Sequence, residues 1–183
     1  MSTEVWKSFE ENQLTHSAAH YLMTINHLIQ DQGYARVTDI AKRLNITRGS
    51  CSISLKPLKK RGLVGEDDNR FLVLSSEGKR LAELVERNDE LLESFFCDVL
   101  DVDPEQAEID ACKIEHLLSL ETSVKLANFM ECVKSDKSVV KQFLKEVHRN
   151  SHSCAKDTGE CAICHNICFF EKSERDSGPK QIA

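Results

Sequence analysis

No stretch of the chain approaches the roughly 18 consecutive apolar residues that a membrane span requires. The opening Met1-Ser2-Thr3-Glu4-Val5-Trp6-Lys7 has no basic segment leading into an apolar run. Together these absences predict a globular protein of the cytoplasm with no membrane partner. Proline and glycine are sparse, three and seven in 183 residues, and they nowhere cluster. Without a Gly- or Pro-rich linker, and without an internal repeat, any two modules must be joined by regular structure, and a helix is the natural joint. Hydrophobic residues make up 40% of the chain, so burial does not limit folding.

Charge is present but unevenly spread. The net charge of −6 argues against a nucleic-acid binder until it is divided along the chain. Arg36–Arg80 holds 11 basic and 5 acidic residues, whereas Leu81–Lys134 holds 4 basic and 14 acidic. A phosphate-seeking module therefore stands beside an acidic one suited to cations or to a partner subunit. Eight cysteines are many for a reducing compartment, and four of them crowd into Cys154–Cys168, a pattern that suits metal or redox chemistry better than structural disulfides. Cys51, Cys97 and Cys132 are expected to be small buried hydrophobes.

Periodicity and capping residues place the elements. Thr15 caps a helix whose apolar positions are Ala18, Leu22, Ile25, Leu28 and Ile29, and Gly33 ends it. A short helix over Thr38–Leu44, a turn at Asn45-Ile46-Thr47 and a helix from Arg48 to Arg61 follow, with Ile53, Leu55 and Leu58 inward and Gly62 at the end. Pro57 predicts a kink or an early stop near Lys56. Leu63-Val64 and Arg70–Leu74 read as strands around the turn Glu66–Asn69. Ser75 or Ser76 opens a long helix to about Val99, and Asp103-Pro104 opens another that carries Cys112, Glu115 and His116. Further helices are expected at Glu121–Val133 and Lys137–His148. The fold class is mainly α, with a winged helix-turn-helix (1–76), a second helical domain (77–149) and a cysteine-rich tail (150–183) whose end is expected to be disordered.

Two constellations carry chemistry. At the second helix of the winged module, Thr47, Arg48, Gly49, Ser50 and Ser52 occupy the edge that meets base pairs, with Arg48 suited to guanine. Lys56, Lys59, Lys60, Arg61 and the wing residue Arg70 suit phosphates. Downstream, Cys112, Glu115 and His116 stand at i, i+3 and i+4, which places thiolate, carboxylate and imidazole on one helical face. Such mixed ligands suit a borderline transition metal, with His20 of the first helix as a further ligand and Met23 as a helper. Any one of these residues alone is more often structural.

These residues form recognisable landmarks: Gly33-Tyr34-Ala35-Arg36-Val37-Thr38-Asp39-Ile40-Ala41, then Leu72-Val73-Leu74-Ser75-Ser76-Glu77-Gly78-Lys79, then Ile114-Glu115-His116-Leu117-Leu118-Ser119. From about Leu14 to Leu144 the chain resembles the diphtheria toxin repressor family of iron- and manganese-dependent transcriptional regulators. The resemblance implies a homodimer that binds palindromic double-stranded operator DNA when activated by metal, with 77–149 as its helical dimerisation and metal-binding domain, and no small-molecule substrate. It implies a primary site at His20, Cys112, Glu115 and His116, with Cys112 as in iron-type members and His20 where relatives use methionine or aspartate. Asp89, Glu93 and Glu108 fall at a second, ancillary site, where Asp89 and Glu108 replace histidines. Ligand softness favours Fe(II), with Mn(II) and Zn(II) as alternatives.

Cys154, Cys161, Cys164 and Cys168, spaced x6, x2 and x3, would bind an iron–sulfur cluster or zinc, with His152 and His165 as substitute ligands. That tail supports an alternative reading, a redox sensor acting through the same DNA-binding domain. A metalloenzyme with Glu115 as base is a third, for which the chain carries no substrate motif.

Overall fold

The computed structural model describes residues 14–149. Cys154, Cys161, Cys164 and Cys168, like His152 and His165, lie outside them. Thr15 opens helix α1 (His16–Gln32) by accepting from the Ala18 amide, and Gly33 closes it at φ 82°, a left-handed conformation that glycine adopts without penalty. Helix α2 (Val37–Arg43) starts one residue earlier than expected, after the extended Arg36. Asn45, at φ 52°, reverses the chain, and Thr47 caps helix α3 (Arg48–Lys60) by accepting from the Ser50 amide.

Two expectations about α3 are corrected. Of the kink or early stop expected at Pro57, the stop does not occur, and the helix runs on to Lys60. Pro57 is exposed, and it leaves the Ile53 carbonyl without its helical hydrogen bond. Ile53 does not face inward but is 65% exposed. At about 100° per residue, the face that carries Cys51, Leu55 and Leu58 into the core leaves position 53 on the opposite side.

Strands β1 (Val64–Glu66) and β2 (Leu72–Leu74) pair antiparallel, with Val64 opposite Leu74 and Glu66 opposite Leu72. The Asp67 carboxylate shapes the wing turn by accepting from the Asn69 and Phe71 amides. Ala35 bridges to Leu72 and ties the wing to the start of the helix-turn-helix. Ser75 then caps the long helix α4 (Ser76–Asp98). A Cβ on Gly78 would stand 2.2 Å from the Leu63 carbonyl oxygen, so only glycine lets α4 lie this close to the base of the wing.

Beyond α4, Asp103 caps helix α5 (Pro104–Ile114) through the Glu105 amide. A 3-10 turn (Glu115–Leu117) and helices α6 (Leu120–Val133) and α7 (Ser138–Arg149) complete the described residues. None of these helices is long and apolar enough to cross a membrane.

Burial divides between two clusters. The larger joins α1, α2, α3, both strands and the first half of α4, with Leu22, Ile25, Ile40, Leu55, Leu58 and Leu72 fully buried. Each such side chain contributes about 1.5–3 kcal/mol, so this cluster dominates stability. The smaller, Val99, Met130 and Val133 with Leu91, Phe95, Leu126 and Leu144, sits around the far end of α4. One helix therefore belongs to both. His27 of α1 and Glu86 of α4, with Nε2 and Oε1 2.5 Å apart, clamp the same two helices. Cys51 is buried as expected; Cys97 is half-buried, and Cys132 is exposed, contrary to expectation, because α6 turns it away from the small second core.

Candidate metal centre and nucleic-acid interface

The expected single helix carrying Cys112, Glu115 and His116 breaks in two. α5 ends at Ile114, whose φ of −121° and ψ of −10° leave the helical region, and the chain re-enters as the 3-10 turn. The break swings Glu115 inward to 1% exposure. Asn88 of α4, itself 2% exposed, donates from Nδ2 to the Glu115 carbonyl oxygen at 2.8 Å and holds the turn against α4.

There Glu115 meets α1. Cys112 Sγ stands 3.3 Å from His20 Nε2, and His20 Nε2 stands 3.9 Å from Glu115 Oε1. Donor atoms of His16, His20, Cys112 and Glu115 all lie within 4.8 Å of one another. Of the sequence-derived ligands, His20, Cys112 and Glu115 are thus brought together. His116 adjoins them: its ring centroid is 5.3 Å from that of His16, and its buried Nδ1 has no hydrogen-bond partner. Met23 instead packs against the larger core. His16 escaped the sequence reading, although its i, i+4 relation to His20 was a visible signal.

The electrostatics show a site short of positive charge. Burial pushes the Glu115 carboxyl up to about 8, helped by the charge of Asp89 on α4 and by a hydrogen bond between the two. Burial also raises Asp89 and, with the charges of Glu115, Asp89 and Glu108, raises the Cys112 thiol. Burial lowers His20 and His116, and His16 lowers both further. Glu115 Oε1 and Asp89 Oδ1 are buried without partners. A buried acceptor with nothing to accept from is costly, about 1–3 kcal/mol. A divalent cation fits this donor set, because it would satisfy the orphaned oxygen and compensate the paired carboxyls at once.

The ancillary trio lies close enough for its charges to act on one another. Asp89 is drawn into the Glu115 pair, while Glu93 is raised by burial and then by the charges of Asp89, Glu108 and Glu90. These groups form an acidic cluster whose members repel one another.

At the other end of the protein the winged module presents a cleft of about 590 Å³, lined by Arg36, Thr38, Arg48, Ser52, Asn69 and Arg70 among others. Arg48, Gly49, Ser50, Ser52, Lys56 and Lys60 are exposed along α3. Thr47 and Ser50 share a 2.9 Å hydroxyl contact at the helix start. Lys59 differs from expectation: it is half-buried and its ammonium is engaged by Glu66 of β1, which reduces its availability to phosphate. Arg36 was not singled out from the sequence. Its guanidinium lies 5.1 Å from the Tyr34 ring centroid and 4.9 Å from that of Phe71, which fixes a cation at the cleft wall.

A winged helix with a cationic cleft, joined through a shared helix to a second helical half with imidazole, thiol and carboxylate donors at the junction, defines a metal-responsive DNA-binding protein. Residues 13–70 match the iron dependent repressor N-terminal DNA binding domain, and residues 75–144 match the iron dependent repressor metal binding and dimerisation domain. The HTH-type transcriptional regulator MntR of Oceanobacillus iheyensis is 33% identical over 146 residues, 80% of this chain and 98% of that protein. MntR of Bacillus velezensis is 32% identical over 139 residues, 76% of this chain and 96% of its own length. Among solved structures, the manganese regulator SloR superposes with a TM-score of 0.55 at 24% identity, covering 62% of this chain and 53% of its own. T. acidophilum IdeR does so with a TM-score of 0.52 at 23% identity, over the same shares. This chain therefore spans about half the length of those two structures and nearly all of the MntR proteins.

The chain belongs to the iron dependent repressor family of metal-dependent transcriptional repressors. Its matched halves are those of transcriptional regulators and not of enzymes.

Proposed function

We propose that this protein is an iron-responsive repressor that binds a palindromic operator as a homodimer in the cytoplasm, with His20, Cys112 and Glu115 holding Fe(II) and His116 packed beside them. The observation that carries the reading is the orphaned, buried Glu115 Oε1 facing His20 and Cys112 across the junction of α1 with the end of α5. An ion bound there would supply the positive charge that the facing carboxyls lack. The choice of iron over manganese rests on the donors, since thiol and imidazole suit Fe(II) better than the oxygen-preferring Mn(II).

His20 belongs to the helix that packs in the winged module, whereas Cys112 and Glu115 belong to the second half. Holding these side chains together narrows the orientations of one half against the other. Metal and operator then favour the same arrangement and strengthen each other's binding. Ile109, Ile114, Leu117, Leu120 and Val124, all exposed in the half matched to the dimerisation domain, offer an apolar face for a second copy. In the complex Arg48 reads a base edge, while Arg36, Lys56, Lys60 and Arg70 hold phosphates.

Anaerobic titration of fluorescent promoter DNA with chelated, Fe(II)-loaded and Mn(II)-loaded protein tests the reading. Tight binding with Fe(II), weaker binding with Mn(II) and none with chelator is expected, and Cys112→Ser should abolish the distinction between metals. Equal binding by chelated and loaded protein would refute it. A response that survives Cys112→Ser but is lost in Cys161→Ser would move the sensor to the cysteine-rich tail.

A further inference from the structure

His16 does no visible work for the fold. It is the first residue of α1, its side chain is exposed, and its ring neighbours are two other histidines, His20 at 4.4 Å and His116 at 5.3 Å between centroids. An exposed helix start usually carries a residue that complements the helix dipole, and histidine does not. Its donor atom nevertheless lies within 4.8 Å of those of His20, Cys112 and Glu115.

We infer that His16 is itself a metal ligand, completing with His20, Cys112 and Glu115 a four-donor set that selects a four-coordinate divalent ion such as Fe(II), Zn(II) or Co(II) over Mn(II). This inference rests on the reading of His20, Cys112 and Glu115 as a metal centre and adds to it both a donor and a coordination number.

The set is built from two local pairs. His16 and His20 stand at i, i+4 on α1, while Cys112 and Glu115 stand three apart across the break at Ile114. Each pair is positioned by its own backbone, so only one relation, that of α1 to the end of α5, must be set by tertiary packing. With metal–nitrogen and metal–sulfur bonds of about 2.0–2.3 Å, a tetrahedron places its donors roughly 3.3–3.7 Å apart. The 3.3 Å between Cys112 and His20 already meets that value, and the 3.9 Å between His20 and Glu115 needs a small contraction. Two nitrogens, one sulfur and one oxygen suit borderline ions that accept tetrahedral geometry, whereas Mn(II) prefers six oxygen-rich positions. The imidazole of His16 therefore shifts the site away from manganese by its softness and by filling the fourth place.

The test is anaerobic Co(II) titration of the full chain as wild type, His16→Ala and Cys112→Ser, followed by optical absorption, with Mn(II) affinity measured from the free-ion electron paramagnetic resonance signal. The difference between wild type and Cys112→Ser isolates the bands of this centre from any that arise from Cys154–Cys168. Wild type should show thiolate-to-cobalt charge transfer with the intense ligand-field bands of four-coordination. His16→Ala should keep the charge transfer, lose much of the ligand-field intensity and bind Co(II) at least about tenfold more weakly, a loss already typical when a mere supporting residue of a metal ligand is removed. Its Mn(II) affinity should change less than its Co(II) affinity. A His16→Ala protein with the wild-type spectrum and Co(II) affinity overturns the inference and leaves the centre standing. Identical spectra for wild type and Cys112→Ser overturn the centre, and the role of His16 with it.

Discussion

Raising the pH of metal-free protein from 6.5 to 8 should destabilise it by about 1 kcal/mol. Burial and Asp89 push the Glu115 carboxyl up to about 8, against an ordinary value of 4.5. Between those values the native state holds a proton that the unfolded state has released, so stability falls as pH rises, by about 1.4 kcal/mol per unit. His20 and His116 act in the opposite direction, since burial lowers both; unfolded histidines are still half protonated at 6.5, so the two offset part of the fall until about pH 7.5. The upper part of the window therefore reports the carboxyl pair. Urea unfolding in excess chelator, followed by far-ultraviolet circular dichroism, reads the change as a midpoint lowered by about 0.5 M, given a slope of roughly 2 kcal/mol per molar urea. Glu115→Gln, which keeps a hydrogen-bonding group towards Asp89 but cannot ionise, should flatten the dependence. Saturating Zn(II) should reverse it, because bound ligands are deprotonated. A wild-type midpoint that is flat over this window, or a slope unchanged in Glu115→Gln, would refute the account of Glu115 as a carboxyl held protonated for want of a cation.

Two other substitutions separate folding from recognition. Gly78→Ala places a methyl against the Leu63 carbonyl, which backbone pairing cannot easily yield, and should cost about 3 kcal/mol, seen as a lower thermal midpoint; a change under about 0.5 kcal/mol would show that α4 can lift from the wing. Ile53→Ser should leave stability within about 0.5 kcal/mol, since the side chain is already exposed, yet weaken operator binding by about 1–3 kcal/mol, as the loss of one base contact does. Unaltered affinity and sequence preference across a panel of operator variants would remove Ile53 from the interface.

Local chemistry made the element boundaries legible in advance. Thr15, Thr47, Ser75 and Asp103 each cap the helix that follows by accepting a backbone amide within three residues, a relation written in consecutive positions. Gly33 is readable for the same reason. The reading of Ile53 as a core residue went wrong because apolar character was taken without its angular position; Cys51, Leu55 and Leu58 define the buried face, and 53 is not on it. The break after Ile114 was hidden because nothing between Lys113 and His116 is a helix breaker. It is imposed from outside, by Asn88 claiming the Glu115 carbonyl. Much of the metal centre was legible from the residues: Cys112 with Glu115 by spacing, and His20 as the further ligand that such a set requires. His16 was passed over because its partner lies 96 positions away at Cys112, a distance that only the packing of α1 against the end of α5 closes. The engagement of Lys59 by Glu66 is likewise a product of the wing folding back on α3.

Gly78 gives the molecule a mechanical bias. By letting α4 rest on the Leu63 carbonyl, it welds the longest helix to the base of the wing, so the reading head and its shaft turn as one piece. The opposite end of that shaft is joined to α5 through Val99–Asp103, a short irregular link with Asp101 at φ 58°. Were an ion at the junction of α1 and α5 to turn one half against the other, that link and the kink after Ile114 are the irregular backbone placed to take up the rotation.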